Sequence, residues 1–225
     1  MPNFRLTGFA PDNIEHRIIT PKRPPQTPHG LIETDNTLPT LTIYLKQVHG
    51  GTVHLLRDVG TANNLSGGFG DGLITTIPRL PLAIYTADCV PLIIVSDYGN
   101  MAAVIHASWR SLAVGIIENA FNLIFEDLGL IATEISCAMG PCIFGQDYEV
   151  GGEVARFFPK MSKSLDNGKF LLDLPAVITG KLAVLGVEPK KITQPPLSTL
   201  REKWLPCYRR EGDAAGRIET VVWIK

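Results

Sequence analysis

Residues 72–106 constrain the fold more than any other part of this 225-residue chain. Four segments within them, 72–76, 82–86, 92–96 and 101–106, have strand length and are rich in β-branched or other aliphatic side chains. Such side chains favour a pleated, buried surface. Asp97-Tyr98-Gly99-Asn100, between the last two, is a turn sequence, so that pair reads as a hairpin. The apolar run over 80–95 is interrupted by Pro81, Asp88 and Pro91 and falls short of a bilayer-spanning length. It reads as two buried strands, and a multi-stranded sheet follows.

Around that sheet the hydrophobic period changes. Leu112, Ile116, Ala120, Leu123 and Ile124 recur at helical spacing within 111–128, and Gly129 supplies a stop. A strand at 134–139, helices over 151–158 and 174–185 and a last strand at 218–224 complete an α+β pattern in a single domain. Residues 41–48 and 52–57 read as strands joined at Gly50-Gly51, which puts His49 at a strand end. Residues 60–70, rich in Asn, Ser and Gly, read as a loop. The segment 11–39 is dense in proline with little apolar periodicity, so the first 40 residues are expected to be irregular and wrapped on the surface.

Charge excludes some function classes. With 21 Lys and Arg against 22 Asp and Glu, nothing pulls the chain as a whole toward nucleic acid or an anionic membrane, so any phosphate binding has to be local. The residues after Met1 form no basic patch and apolar run, so the expected location is the cytoplasm. Cys89, Cys137, Cys142 and Cys207 form no Cys-x-x-Cys pair and read as free thiols or metal ligands. P-loop, G-x-G-x-x-G, G-x-S-x-G, H-E-x-x-H and deaminase-type P-C-x-x-C signatures are all absent.

His49, Cys89 and His106 fall at the ends of three successive strand regions. Two imidazoles and a thiolate match the three protein ligands of a catalytic zinc; the alternative is a buried cysteine and two hydrogen-bonded histidines. Asp88 sits in an apolar run and needs a partner, either a ligand histidine whose tautomer it would fix or the backbone of a turn. Arg110 follows Trp109 at a helix start, where an anion could be received or a surface ion pair made. Tyr208-Arg209-Arg210 with Arg217 forms a second basic cluster, suited to phosphate or simply solvated. Gly140-Pro141-Cys142 and Tyr148-Glu149 lie on a strand-to-helix connection able to line a cleft.

Six ordered motifs carry a resemblance: Gln47-Val48-His49-Gly50, Asp71-Gly72-Leu73-Ile74-Thr75-Thr76, Thr86-Ala87-Asp88-Cys89-Val90-Pro91, His106-Ala107-Ser108-Trp109-Arg110, Gly140-Pro141-Cys142-Ile143 and Tyr208-Arg209-Arg210. Over 41–225 the chain resembles the laccase-domain (YfiH, polyphenol oxidase) family. The resemblance implies one α+β domain of mixed sheets covered by helices in α/β/β/α layers, acting as a monomer. It implies Zn2+ on His49, Cys89 and His106; around that ligand set, Asp88, Cys89, His106 and Arg110 read as catalytic and Gln47, Trp109, Cys142, Tyr208, Arg209 and Arg210 as binding substrate. The implied reactions are phosphorolysis of adenosine, inosine, guanosine and methylthioadenosine, with phosphate as partner, and deamination of adenosine. In the latter, zinc would activate water against the purine carbon bearing the amino group.

The family's older name suggests copper-dependent phenol oxidation, yet five histidines in the whole chain are too few for a multicopper assembly, so zinc is favoured over copper. Two rival readings use the same residues. One is a Cys and His hydrolase, such as an amidase editing peptidoglycan precursors, with Cys89 as nucleophile and His106 as base. The other is a binding protein whose structural zinc is closed by a fourth ligand such as Cys142. The chain departs from the family at Ser108, where glycine is usual, at Ser198-Thr199 in place of Cys-Thr, and at Leu205-Pro206-Cys207; no family-like N-terminal segment is recognisable before Leu41.

Overall fold

The computed structural model describes residues 1–34, 39 and 41–225. The chain opens with strands β1 (Asn3–Leu6), β2 (Ile14–Ile19) and β3 (Leu31–Thr34), followed by β4 (Ile43–Tyr44), β5 (Val53–Leu56), helix α1 (Val59–Leu65) and β6 (Gly72–Thr75). Next come β7 (Leu82–Thr86), β8 (Val90–Ser96), β9 (Ala102–Ala107), the helical turns α2 (Trp109–Ala113) and α3 (Ile116–Asn122), and β10 (Ile135–Met139). The rest comprises β11 (Glu149–Val150), α4 (Gly152–Ala155), β12 (Ser162–Ser164), β13 (Phe170–Leu172), α5 (Leu174–Val184), β14 (Ile192–Thr193), α6 (Tyr208–Glu211) and β15 (Ile218–Ile224).

Two six-stranded mixed sheets form the body, with strand orders β3-β1-β2-β15-β7-β4 and β14-β10-β8-β9-β6-β5; β11, β13 and β12 make a small third sheet. Alternation along β8 explains the stacking. Val90, Leu92 and Ile94 face a core shared with Ile117, Ala120 and Phe121 of α3 and Val177, Ile178 and Leu182 of α5. Ile93 and Val95 face the other way, into a core shared with Ile18, Leu82, Ile84 and Val222 of the first sheet. The second sheet is therefore buried on both faces, which is why its strands read as nearly continuous apolar runs. The α+β class with mixed sheets covered by helices is as the sequence predicts. Among the described residues, no helix is long and apolar enough to cross a membrane.

The N-terminal expectation is overturned. Instead of an irregular surface segment, β1, β2 and β3 build half of the first sheet, and β2 lies buried between β1 and β15. Residues 35–38 and 40 lie outside the described part. The run Glu15-His16-Arg17 hides β2 from a periodicity search. Ile14 and Ile18 face the inter-sheet core, whereas Glu15 and Arg17 pair with each other at 2.5 Å on the opposite face and the Arg17 guanidinium lies over Trp223. A buried charge is tolerated when it is paired and hydrogen-bonded, and the pairing depends on strand register.

Three local expectations also change. The helix expected over 111–128 is broken at Gly115, whose φ of 81° is accessible to glycine; the chain resumes as α3 and ends in a π-helical turn at Leu123–Asp127. The expected loop over 60–70 begins instead with α1, capped by Asp58, which accepts the Thr61 N–H at 2.8 Å. The strands on either side of Gly50-Gly51 form no hairpin: β4 pairs with β7 in one sheet and β5 with β6 in the other, leaving His49 on a loop that bridges the sheets.

Candidate metal centre

Strand register assembles the site. β6 pairs with β9 so that Gly72 faces Ile105, and one step further the His106 N–H donates to the Asp71 carbonyl at 2.7 Å. On the other side of β9, Val90 faces Ala107 and Pro91 faces His106, which brings Cys89, at the entrance to β8, beside the same strand end. The β4–β5 loop adds His49. One ligand atom from each of His49, Cys89 and His106 lies within 4.8 Å of the others, and the two imidazole rings stand 4.8 Å apart at 74°. His106 is buried, Cys89 half-buried and His49 exposed, so the cluster opens on one side.

The carboxylate behind this cluster is Asp71, fully buried. Its Oδ1 accepts from His106 Nδ1 at 2.8 Å and from the His49 N–H at 2.9 Å, while Oδ2 accepts from the N–H groups of Gly50 at 2.7 Å and Val48 at 3.2 Å. Of the two partners open to Asp88, a ligand histidine or a backbone group, the structure gives it the backbone one, and Asp71 takes the histidine. Asp88 accepts the Thr199 hydroxyl at 2.6 Å and the Arg209 N–H at 2.6 Å. His49 at φ 58° and Asp88 at φ 86° both hold a left-handed conformation unusual for residues with a side chain, a form of strain that concentrates at functional sites.

Electrostatics suit a cation here. Burial works to raise the Cys89 thiol, but hydrogen bonds and charge from His106 and His49 outweigh it and bring the pKa down to about 7. His106 goes the other way: burial works to lower it, and Asp71 and Cys89 carry it up to about 9. Asp71 itself, although burial opposes ionisation, is held below the usual carboxylate range by His106 and the backbone amides. Two nitrogens and a sulfur fit zinc chemistry. Tetrahedral bonds of about 2.0–2.3 Å need ligand atoms about 3.3–3.6 Å apart, against separations of at most 4.8 Å here. No further His, Cys, Asp or Glu joins the group among the described residues. Cys142, considered above as a substrate contact or fourth ligand, is fully buried in the core under α3 and α5, where burial drives its thiol pKa well up.

In front of the cluster lies a cleft of about 650 Å3. Gln47 lines it and is locked to β7: its Nε2 donates to the Tyr85 carbonyl and its Oε1 accepts the Tyr85 N–H, each at 2.7 Å. Trp109, Tyr148 and Tyr208 supply aromatic walls, and Arg110, Arg209 and Arg217 supply positive charge. Arg209 lies over Tyr148 at 5.1 Å and donates to the Glu149 carbonyl at 2.7 Å. Arg210, expected beside substrate, is absent from the lining; it donates to the carbonyls of Thr199, Leu200 and Leu205 and so fixes the loop that precedes α6. Ser108, unusual for the motif, caps α2 by accepting the Ser111 N–H at 3.1 Å. Sequence reasoning missed the role of Asp71 and the presence of Leu45 and Tyr85 in the cleft. The signal for Asp71 was its place one residue before a strand, opposite a histidine one residue from the end of another.

A family model described as "multi-copper polyphenol oxidoreductase laccase" matches residues 31–225. The chain belongs to that family. Among curated relatives, a Mycobacterium bovis protein named purine nucleoside phosphorylase is 33% identical over 81% of this chain and 72% of its own length. Purine nucleoside phosphorylase YfiH of Escherichia coli K12 is 28% identical over 99% of this chain and 86% of its own. Two solved structures share the fold: Neisseria meningitidis NMB0706 (TM-score 0.78, 24% identity, 99% of each chain) and YlmD of Geobacillus stearothermophilus (TM-score 0.73, 25% identity, 82% of this chain and 73% of that one). Despite the family's description, only His49 and His106 of the five histidines converge. His16 lies buried on β2, His29 is exposed, and His54 bonds the Phe69 carbonyl.

Proposed function

We propose that this chain is a zinc-dependent purine nucleoside phosphorylase, taking adenosine, inosine, guanosine or methylthioadenosine with inorganic phosphate. The observation that carries the reading is a three-donor cluster, His49, Cys89 and His106, opening on a cleft lined by Tyr85, Trp109, Tyr148 and Tyr208 and by three guanidiniums. The names of the relatives support the substrate class. Zinc rather than copper follows from the thiolate and two imidazoles, since a multicopper assembly needs more histidines than converge here. Zinc held by His49, Cys89 and His106 would supply a Lewis acid at the mouth of the cleft.

The residues of the chain account for binding and orientation. Trp109, Tyr148 and Tyr208 offer faces on which a purine can stack. The Arg110 guanidinium lies over Trp109 at 4.5 Å and has no hydrogen-bond or ion-pair partner among the described residues, so its five N–H donors are available to phosphate. Phosphorolysis joins a phosphate oxygen to the anomeric carbon as the bond to the purine nitrogen breaks, and the purine leaves with that electron pair and takes up a proton. Burial and the neighbouring Cys89 raise the Tyr148 phenol to about 12, so at neutral pH it keeps its proton and is a hydrogen-bond donor in the cleft.

A second reading rests on the row Cys89, His106 and Asp71, which has the order of nucleophile, base and orienting carboxylate used by thiol hydrolases. One experiment separates the two: metal content, and products from adenosine with and without phosphate, for wild type and Cys89→Ala. About one zinc per chain, with adenine formed only by wild type and only with phosphate, supports phosphorolysis. Inosine formed without phosphate assigns deamination to the same centre. A zinc-free protein that yields neither product overturns the nucleoside reading and leaves the hydrolase.

A further inference from the structure

We infer that Asp71 is a single positioning residue for both histidines of the metal centre, setting the backbone of one and the tautomer of the other. The inference rests on the zinc reading above.

The geometry is unusual in joining two ligands that arrive from different directions. His49 sits on the loop between β4 and β5, and three successive N–H groups of that loop, from Val48, His49 and Gly50, converge on the Asp71 carboxylate at 3.2, 2.9 and 2.7 Å. Successive amides turn to one side in this way when a residue among them adopts a left-handed conformation, as His49 does at φ 58°. The loop is thus an anion nest whose anion is the protein's own carboxylate.

The same carboxylate decides which nitrogen His106 presents. Asp71 Oδ1 accepts the His49 N–H and lies 2.8 Å from His106 Nδ1. An ionised carboxylate has no proton to give, so Nδ1 bears the hydrogen and the Nε2 lone pair is left for the cluster. Asp71 is itself held on both sides: its N–H donates to the Thr52 carbonyl at 3.0 Å and its carbonyl accepts the His106 N–H at 2.7 Å. The carboxylate is therefore fixed by the sheet and passes that rigidity to an exposed loop. Removing such partners of a ligand histidine typically costs 10–100-fold in metal affinity.

The test is zinc affinity by chelator competition for wild type and Asp71→Asn, with circular dichroism to report folding. A folded Asp71→Asn that binds zinc 10–100-fold more weakly supports the inference, because asparagine turns an N–H toward one of its donors. Affinity within twofold of wild type overturns it. Should the variant not fold, the tautomer of His106 in the zinc-loaded wild type decides by two-bond 1H–15N correlation. A protonated Nδ1 with Nε2 on the metal supports the inference, and metal on Nδ1 overturns it. Wild type that takes up no zinc overturns the functional reading together with the inference. Wild-type uptake with an unaffected variant overturns the inference alone.

Discussion

The Arg209 N–H donates to the Asp88 carboxylate at 2.6 Å across 121 residues of chain. With the Thr199 hydroxyl on the other oxygen, Asp88 ties α6 and the loop before it to the turn that carries Cys89. Asp88→Ala leaves a buried hydroxyl and an amide without acceptors, and an expected loss of about 3 kcal/mol follows. Asp88→Asn keeps a side chain that tolerates the left-handed backbone and loses less, about 1 kcal/mol. Urea denaturation of both variants checks the order.

Gly72 faces Ile105 at the point where β6 and β9 align Asp71 with His106. A Cβ built there comes within 2.7 Å of Ile105 Cδ1 and 2.8 Å of Val53 Cγ2. Gly72→Val forces these core side chains apart, at a cost of about 2 kcal/mol or more. It also displaces the carboxylate behind the site. Lower thermal stability together with weaker zinc binding is the expected result; a loss of stability with zinc affinity intact would show that the register does not govern the site.

Cys89 is half-buried and lines the cleft, whereas Cys137, Cys142 and Cys207 are buried. Iodoacetamide should label one cysteine in the folded, chelator-treated protein, identified by peptide mass mapping as Cys89. Saturating zinc should protect it. Labelling that zinc leaves unchanged would argue that the thiolate is free for nucleophilic chemistry.

Stability should fall with acid through His16. Its ring is fully buried, and its Nε2 accepts the Leu6 N–H at 3.0 Å. Burial first, then the charges of Arg5 and Arg17 against the opposing Glu15, depress its pKa from 6.5 to about 4. Between those values the unfolded chain binds a proton that the folded chain does not. The contribution is therefore complete above about pH 6.5 and is lost as pH falls toward 4, by about 3 kcal/mol at most. Comparing urea midpoints at pH 7.5 and 4.5 for wild type and His16→Gln checks this, because the variant should lack that part of the acid sensitivity.

If Arg110 receives phosphate, Arg110→Ala should raise the phosphate KM about tenfold, the weight of one charge-assisted contact, and leave the nucleoside KM nearly unchanged. Steady-state kinetics with each substrate varied in turn checks the split. An equal rise in both constants would place Arg110 against the nucleoside instead.

What the sequence determined by itself was local. The β-branched runs from 72 to 106, the turn at 97–100, the period over 174–185 and the last strand are written in nearest-neighbour chemistry, and they formed where expected. His49, Cys89 and His106 were legible as a possible ligand set because few histidines and cysteines compete for that role, and their motif resemblance is carried by short contiguous words. The tertiary structure alone decided the rest. β2 joined the first sheet because Glu15 and Arg17 neutralise each other on one face, a fact of register that no window of sequence contains. Asp71 rather than Asp88 came to face His106 because pairing of β6 with β9 sets that neighbour, and Cys142 went to the core and Arg210 to a loop because helices packed over one and carbonyls converged on the other. Propensity acts over a few residues. Which polar group meets which is settled only when strands distant in sequence are brought into register.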